Sequence, residues 1–148
     1  MEILYIVLAL LAGACAPTQA GVNSQLRSLW AGDPAIAALI SFAVGTLTLL
    51  VYVVALRMPW PPWRTAAELP WWMWTGGAFG AFLVWVTVIT APKLGATTMI
   101  AFLMAGQIAT SLVLDHHGLI GYDTRPMTGW RVMGAVLLMI GAIMVKRF

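Results

Sequence analysis

Charged residues lie so far apart along this chain that the intervals between them predict its elements. Uncharged runs of 24, 23, 24 and 21 residues separate Glu2 from Arg27, Asp33 from Arg57, Glu68 from Lys93, and Lys93 from Asp115. A helix needs about 20 mostly apolar residues to cross the hydrocarbon core of a bilayer, so four spans follow. The fifth candidate is shorter. Arg131 and Lys146 enclose only 14 uncharged residues, about 21 Å of helix at roughly 1.5 Å per residue. It crosses if Arg131 snorkels from the first turn and the helix starts near Thr128. The predicted spans are 3–24, 35–56, 71–91, 94–114 and 128–145.

Composition agrees with this pattern. Of 148 residues 61% are hydrophobic and 9% charged, with a mean hydropathy of +0.91, far from a soluble domain. The fold class expected is an all-α integral membrane protein with five transmembrane helices in one membrane domain, 1–148, because no Gly/Ser-rich or charged run divides the chain. A net charge of +3, thinly spread, gives no basis for a nucleic-acid partner. The lone Cys15 excludes an internal disulfide framework or a zinc site of several thiolates.

The stretch LLAGACAPTQAGVNSQLR, 10–27, tests whether the first run is a cleaved signal. A secretion signal wants a basic start, but the chain begins MEIL with no base before Arg27. Ala12 rather than leucine stands three residues before Cys15, against a lipoprotein site. The run is read as a retained span that carries Gln19 and Asn23 into or near the membrane. Between the second and third spans, MPWPPWRTAAELPWWMW has prolines at 59, 61, 62 and 70, which forbid a continuous helix. Its Trp60, Trp63, Trp71, Trp72 and Trp74 suit the headgroup region. APKLG predicts a tight hairpin between the third and fourth spans, with Pro92 ending one helix and Gly95 allowing the turn. Gly76 and Gly80, Ala101 and Ala105, and Gly134 and Gly141 have the spacing of close helix contacts in lipid.

An odd number of spans puts the termini on opposite faces. Arg57, Arg64, Arg125 and Arg131 then lie on one face, and Arg27, Lys93, Lys146 and Arg147 on the other. The tie removes any orientation set by basic residues. Insertion in both directions would give an antiparallel pair, the geometry of inverted-repeat transporters, with a site near mid-membrane between the repeats.

Five segments carry a family resemblance: NSQLR at 23–27, ISFAVGTLTLL at 40–50, APKLGATT at 91–98, AGQIATSLVLDHHGLIG at 105–121 and RVMGAVLLMIGAIMV at 131–145. With them the chain resembles the small YdcZ-like family of the drug/metabolite transporter superfamily. Larger members of that superfamily have ten helices in two inverted halves. The resemblance therefore implies half of an inverted-repeat ten-helix transporter, a multi-pass protein of the bacterial inner membrane working as an antiparallel dimer with itself or a similar chain. It supplies no substrate. The small multidrug resistance exporters of the same superfamily use a glutamate deep in their first helix; here Glu2 sits at the helix end and Gln19 is neutral, which argues against that coupling.

Polar groups within spans are costly unless paired or lining a cavity, so they are the candidate site. Gln107, Ser111 and Asp115 share one face at i, i+4, i+8, with Met104 and Thr97 extending it. Gln19 and Asn23 form a second stripe. Gln107, Gln19, Asn23, Ser111 and Met104 are the candidate substrate-binding residues, Gln107 first because its amide both donates and accepts mid-span. An interhelical hydrogen bond is the plainer role for each amide. Asp115 is a coupling carboxylate or a pairing partner for Arg131 or for Lys93, the last only across an antiparallel copy, since about 33 Å of helix separates the two. His116 and His117, adjacent at a helix end, point in different directions and do not make a metal site. No nucleophile flanked by a base, no phosphate loop and no cofactor motif occurs, so neither enzyme activity nor a cofactor is expected. Transport of a small molecule is the leading reading, with a passive channel or a non-transporting partner subunit as alternatives.

Overall fold

A computed structural model describes residues 2–148. Among them the regular structure is entirely helical, and five helical segments are long and apolar enough to cross a membrane. Lipid offers backbone groups no water to bond, so a helix that satisfies them internally is the natural form for such apolar segments. The helices are α1 (Glu2–Leu26), continued by a wider π turn over Arg27–Ala31, α2 (Pro34–Ala55), the single turn α3 (Trp63–Ala66), α4 (Gly76–Leu94) entered through a 3-10 turn at Trp71–Thr75, α5 (Ala96–His117) and α6 (Gly129–Arg147).

The chain divides into two compact units, residues 18–92 and residues 2–17 with 93–148. In the first, Ala37, Ala38, Val84 and Val88 are buried, and Leu26, Ala31 and Phe42 pack on them. The small side chains of α2 let α4 come close. A Cβ added at Gly80 would lie 3.2 Å from Cζ of Phe42, whereas Gly76 has open space around it. The turn into α2 is specified locally. Asp33 accepts from the amides of Ala35 (2.7 Å) and Ile36 (3.4 Å), and Pro34 opens the helix where its missing N–H costs nothing.

In the second unit the principal pairing is between α5 and α6, and Met99, Ala105, Leu112 and Ala142 are its buried apolar residues. The two helices are joined through Gly118, which ends α5 with φ +61 while its amide returns to the carbonyls of Asp115 and Leu114. That left-handed cap suits glycine. A Cβ there would also fall 2.5 Å from Oγ1 of Thr124. Gly118→Val is therefore expected to lower stability by about 2 kcal/mol or more, read as the thermal unfolding midpoint in detergent. Gly118→Asn combined with Thr124→Ala should recover most of the loss, because asparagine tolerates this conformation and the clash is gone.

Several helix ends shift by a few residues from the expected limits, and two of these shifts and one added turn have clear physical causes. Pro92 lies inside α4, which ends at Leu94; the turn falls at Gly95, with φ +79. Proline interrupts one backbone bond, but leaving the helix in an apolar environment would free several. The last turn of α5 includes Asp115, His116 and His117, beyond the expected limit at 114, because Asp115 is neutralised by a partner on α6. Finally, the proline-rich connection forms one helical turn, α3, with Thr65 Oγ1 bonding back to the carbonyl of Pro62 at 2.8 Å. Its tryptophans stand exposed, as side chains meant for headgroups would.

Candidate functional site

The densest polar arrangement joins the end of α5 to the start of α6. The Arg131 guanidinium forms a salt bridge with the Asp115 carboxylate and donates to the carbonyl of Arg125 at 3.1 Å. The amide of Arg125 in turn donates to the carbonyl of Asp115 at 2.8 Å. At the next residue, Nδ1 of His116 accepts from the amide of Met127 at 3.2 Å. Thr128 caps α6, accepting from the amide of Arg131 at 3.4 Å.

Each charge is badly placed for its own helix. An acid in the last turn of α5 meets the negative end of that helix, and a base in the first turn of α6 meets the positive end. Across the hairpin both placements become favourable, since Asp115 faces the start of α6 and Arg131 the end of α5. The arrangement thus favours the paired hairpin over either helix alone.

A cleft of about 350 Å³ opens beside this bridge, lined by Ile108, Ser111 and Leu112 of α5 and by Arg131, Gly134 and Leu138 of α6. Gly134, which has no atom within 4 Å of an added Cβ, leaves room there. Several helix hydroxyls turn back to their own backbone, as Thr48, Thr87 and Thr90 do at 2.9, 2.8 and 2.8 Å, a common outcome in a helix. The Ser111 hydroxyl makes no such bond among the described residues.

The predicted stripe on α5 is therefore divided. Ser111 lines the cleft and Asp115 binds its Arg131, while Gln107 and Met104 are exposed on α5 and do not line it. Lys93 is exposed at the opposite end of α5 from Asp115, and it forms no ion pair among the described residues. In the other unit Gln19 donates to Oγ of Ser41 at 3.4 Å, linking α1 to α2. Asn23 is 3% exposed, and its Nδ2 has no partner among the described residues; the same holds for Oγ of the partly buried Ser24. Imidazole rings of His116 and His117 meet edge to face, 4.7 Å between centroids.

Three contributors, Arg131, Arg125 and Met127, do not stand out as site residues in the sequence. Arg131 was visible only as one of two possible partners for Asp115. The bonds of Arg125 and Met127 come from their main chains and leave no trace in residue type.

Five helices long and apolar enough to cross a bilayer, two of them joined by a polar hairpin end, define a multi-pass membrane protein. The family described as "Putative inner membrane exporter, YdcZ" matches residues 4–144, and the chain belongs to it. Inner membrane protein YdcZ of Escherichia coli (strain K12) is 35% identical over 81 residues, 55% of this chain and 54% of that relative. The aligned part thus spans about half the length of the curated relative. No solved structure matches significantly. The chain is an inner-membrane protein, with five helices capable of spanning.

Proposed function

We propose that this protein is a small-molecule transporter, one half of an inverted-repeat assembly that pairs antiparallel with itself or a similar chain and moves its solute by alternating access. Gln107 carries the reading. It sits near the middle of α5, is exposed, and makes no side-chain hydrogen bond among the described residues. Only 17% of the apolar window of α5 is buried. An amide facing lipid without a partner is costly, so a second chain or a water-filled pathway must cover it. The description of the family as an exporter and the even division of basic residues support the same reading. Substrate contacts are assigned to Gln107, Gln19, Asn23, Ser111 and Met104, with Asp115 and Lys93 as candidate coupling or pairing groups.

Paired C-terminal reporters, one active only inside and one only outside the inner membrane, test the antiparallel arrangement. Activity on both sides is expected, shifting when one lysine is added to a loop. A single orientation would restrict the pair to a different, oppositely inserted chain. Purified protein in liposomes should then give saturable solute flux; unsaturable, voltage-driven flux would instead identify a channel, and absence of flux a partner subunit.

A further inference from the structure

The geometry points to an amphiphilic-anion site in the cleft between α5 and α6, with an acid group held by Arg131 and Ser111 and an apolar body lying against Ile108, Leu112 and Leu138. This rests on the transporter reading above through Ser111, the substrate contact assigned there that also lines the cleft, and gives the solute a chemical class. Three observations converge on it. Arg131 uses two of its nitrogens on Asp115 and the Arg125 carbonyl, leaving N–H donors of its five-donor fork for a ligand. Ser111 supplies a hydroxyl that its own helix does not use, from the α5 wall of the same cleft. The rest of the lining is apolar, and a volume of about 350 Å³ is at the small end of ligand pockets, suited to a metabolite rather than a large drug.

The salt bridge gives the site its second property. Asp115 is the internal competitor for the guanidinium, and at 34% exposure for Arg131 and 22% for Asp115 the pair is open enough for an incoming carboxylate to share or displace it. An arginine fork suits such exchange because it binds carboxylates with two parallel bonds. A soluble organic acid and an anionic phospholipid present the same chemistry, acid head and apolar body, and the two are separable by experiment.

The test uses the full chain in neutral detergent, with binding of hexanoate followed calorimetrically, hexanamide as the uncharged control, and phosphatidylglycerol added in a parallel series. Hexanoate is expected to bind saturably and hexanamide about tenfold more weakly or worse, the size of a charged hydrogen-bond contribution. Ser111→Ala should weaken hexanoate roughly two- to tenfold without altering the fold. Asp115→Asn should strengthen it, because the competing charge is removed while the side-chain shape is kept. That rise is the distinctive outcome, since a purely structural salt bridge predicts no gain in anion affinity. Arg131→Gln should abolish the preference for acid over amide. Saturable binding of phosphatidylglycerol alone, lost in Arg131→Gln, would support the anion site and assign it to a lipid headgroup. Equal binding of hexanoate and hexanamide, or hexanoate affinity unchanged in both Ser111→Ala and Arg131→Gln, would overturn the site. Because binding is measured without flux, the site can fail while saturable transport of another solute survives, and hexanoate can bind in a protein that transports nothing.

Discussion

Asp115→Leu is expected to lower the unfolding free energy by about 1–2 kcal/mol and to expose the segment 119–128 to proteolysis. The loss has two sources. Arg131 would keep its place at the start of α6, where its charge opposes the helix dipole, with no counter-charge across the hairpin. Its guanidinium would also be left partly buried and incompletely bonded. A larger effect is not expected because both side chains retain some exposure. The backbone bond from Arg125 to the carbonyl of Asp115 survives the substitution, so the loop is expected to loosen without detaching from the end of α5. Combining Asp115→Leu with Arg131→Met should restore most of the stability, since neither charge then remains unpaired. Detergent unfolding of the four proteins as a double-mutant cycle checks this. A double variant no better than Asp115→Leu would show that the hairpin depends on the other bonds of Arg131 instead.

Gln107→Ala is expected to cut saturable flux about tenfold or more, equivalent to roughly 1.4 kcal/mol of lost stabilisation along the transport cycle, while leaving the unfolding midpoint of the single chain almost unchanged. The stability expectation follows from the structure. Gln107 makes no side-chain hydrogen bond within the chain among the described residues, and alanine is at least as good a helix former. Its amide should therefore matter only to whatever covers α5. Flux and crosslinking of the assembled protein, measured side by side, distinguish a solute contact from a bond across the dimer, which is worth about 0.6–2 kcal/mol. Undiminished flux would remove Gln107 from the pathway.

The spans were legible because a charge in the hydrocarbon core is so costly that the gaps between charges mark the helices. The same rule misjudged the end of α5. Asp115 was read as a boundary, yet pairing with Arg131 lets the helix continue to His117. Pro92 misled in a similar way, since local propensity favours a break that an apolar environment resists. Within the site, side-chain chemistry was visible and main-chain chemistry was not. Spacing alone grouped Ser111 and Asp115 on one face, but their separation from Gln107 depends on how α6 lies across α5. Asn23 could be flagged as polar in a span, whereas its burial depends on packing that no local pattern encodes.

The unequal lengths of the membrane segments carry a mechanical consequence. From Glu2 to Ala31 the first covers 30 residues, and the last, Gly129 to Arg147, covers 19; these correspond to about 45 Å and about 29 Å of helix. No single lipid thickness suits both. A thin membrane obliges the long segment to lean, and a thick one draws Lys146 and Arg147 toward the acyl chains, each at a fraction of a kcal/mol per Å of mismatch. The surrounding lipid is thus under elastic load, and its chain length becomes a variable that acts on the protein as a whole.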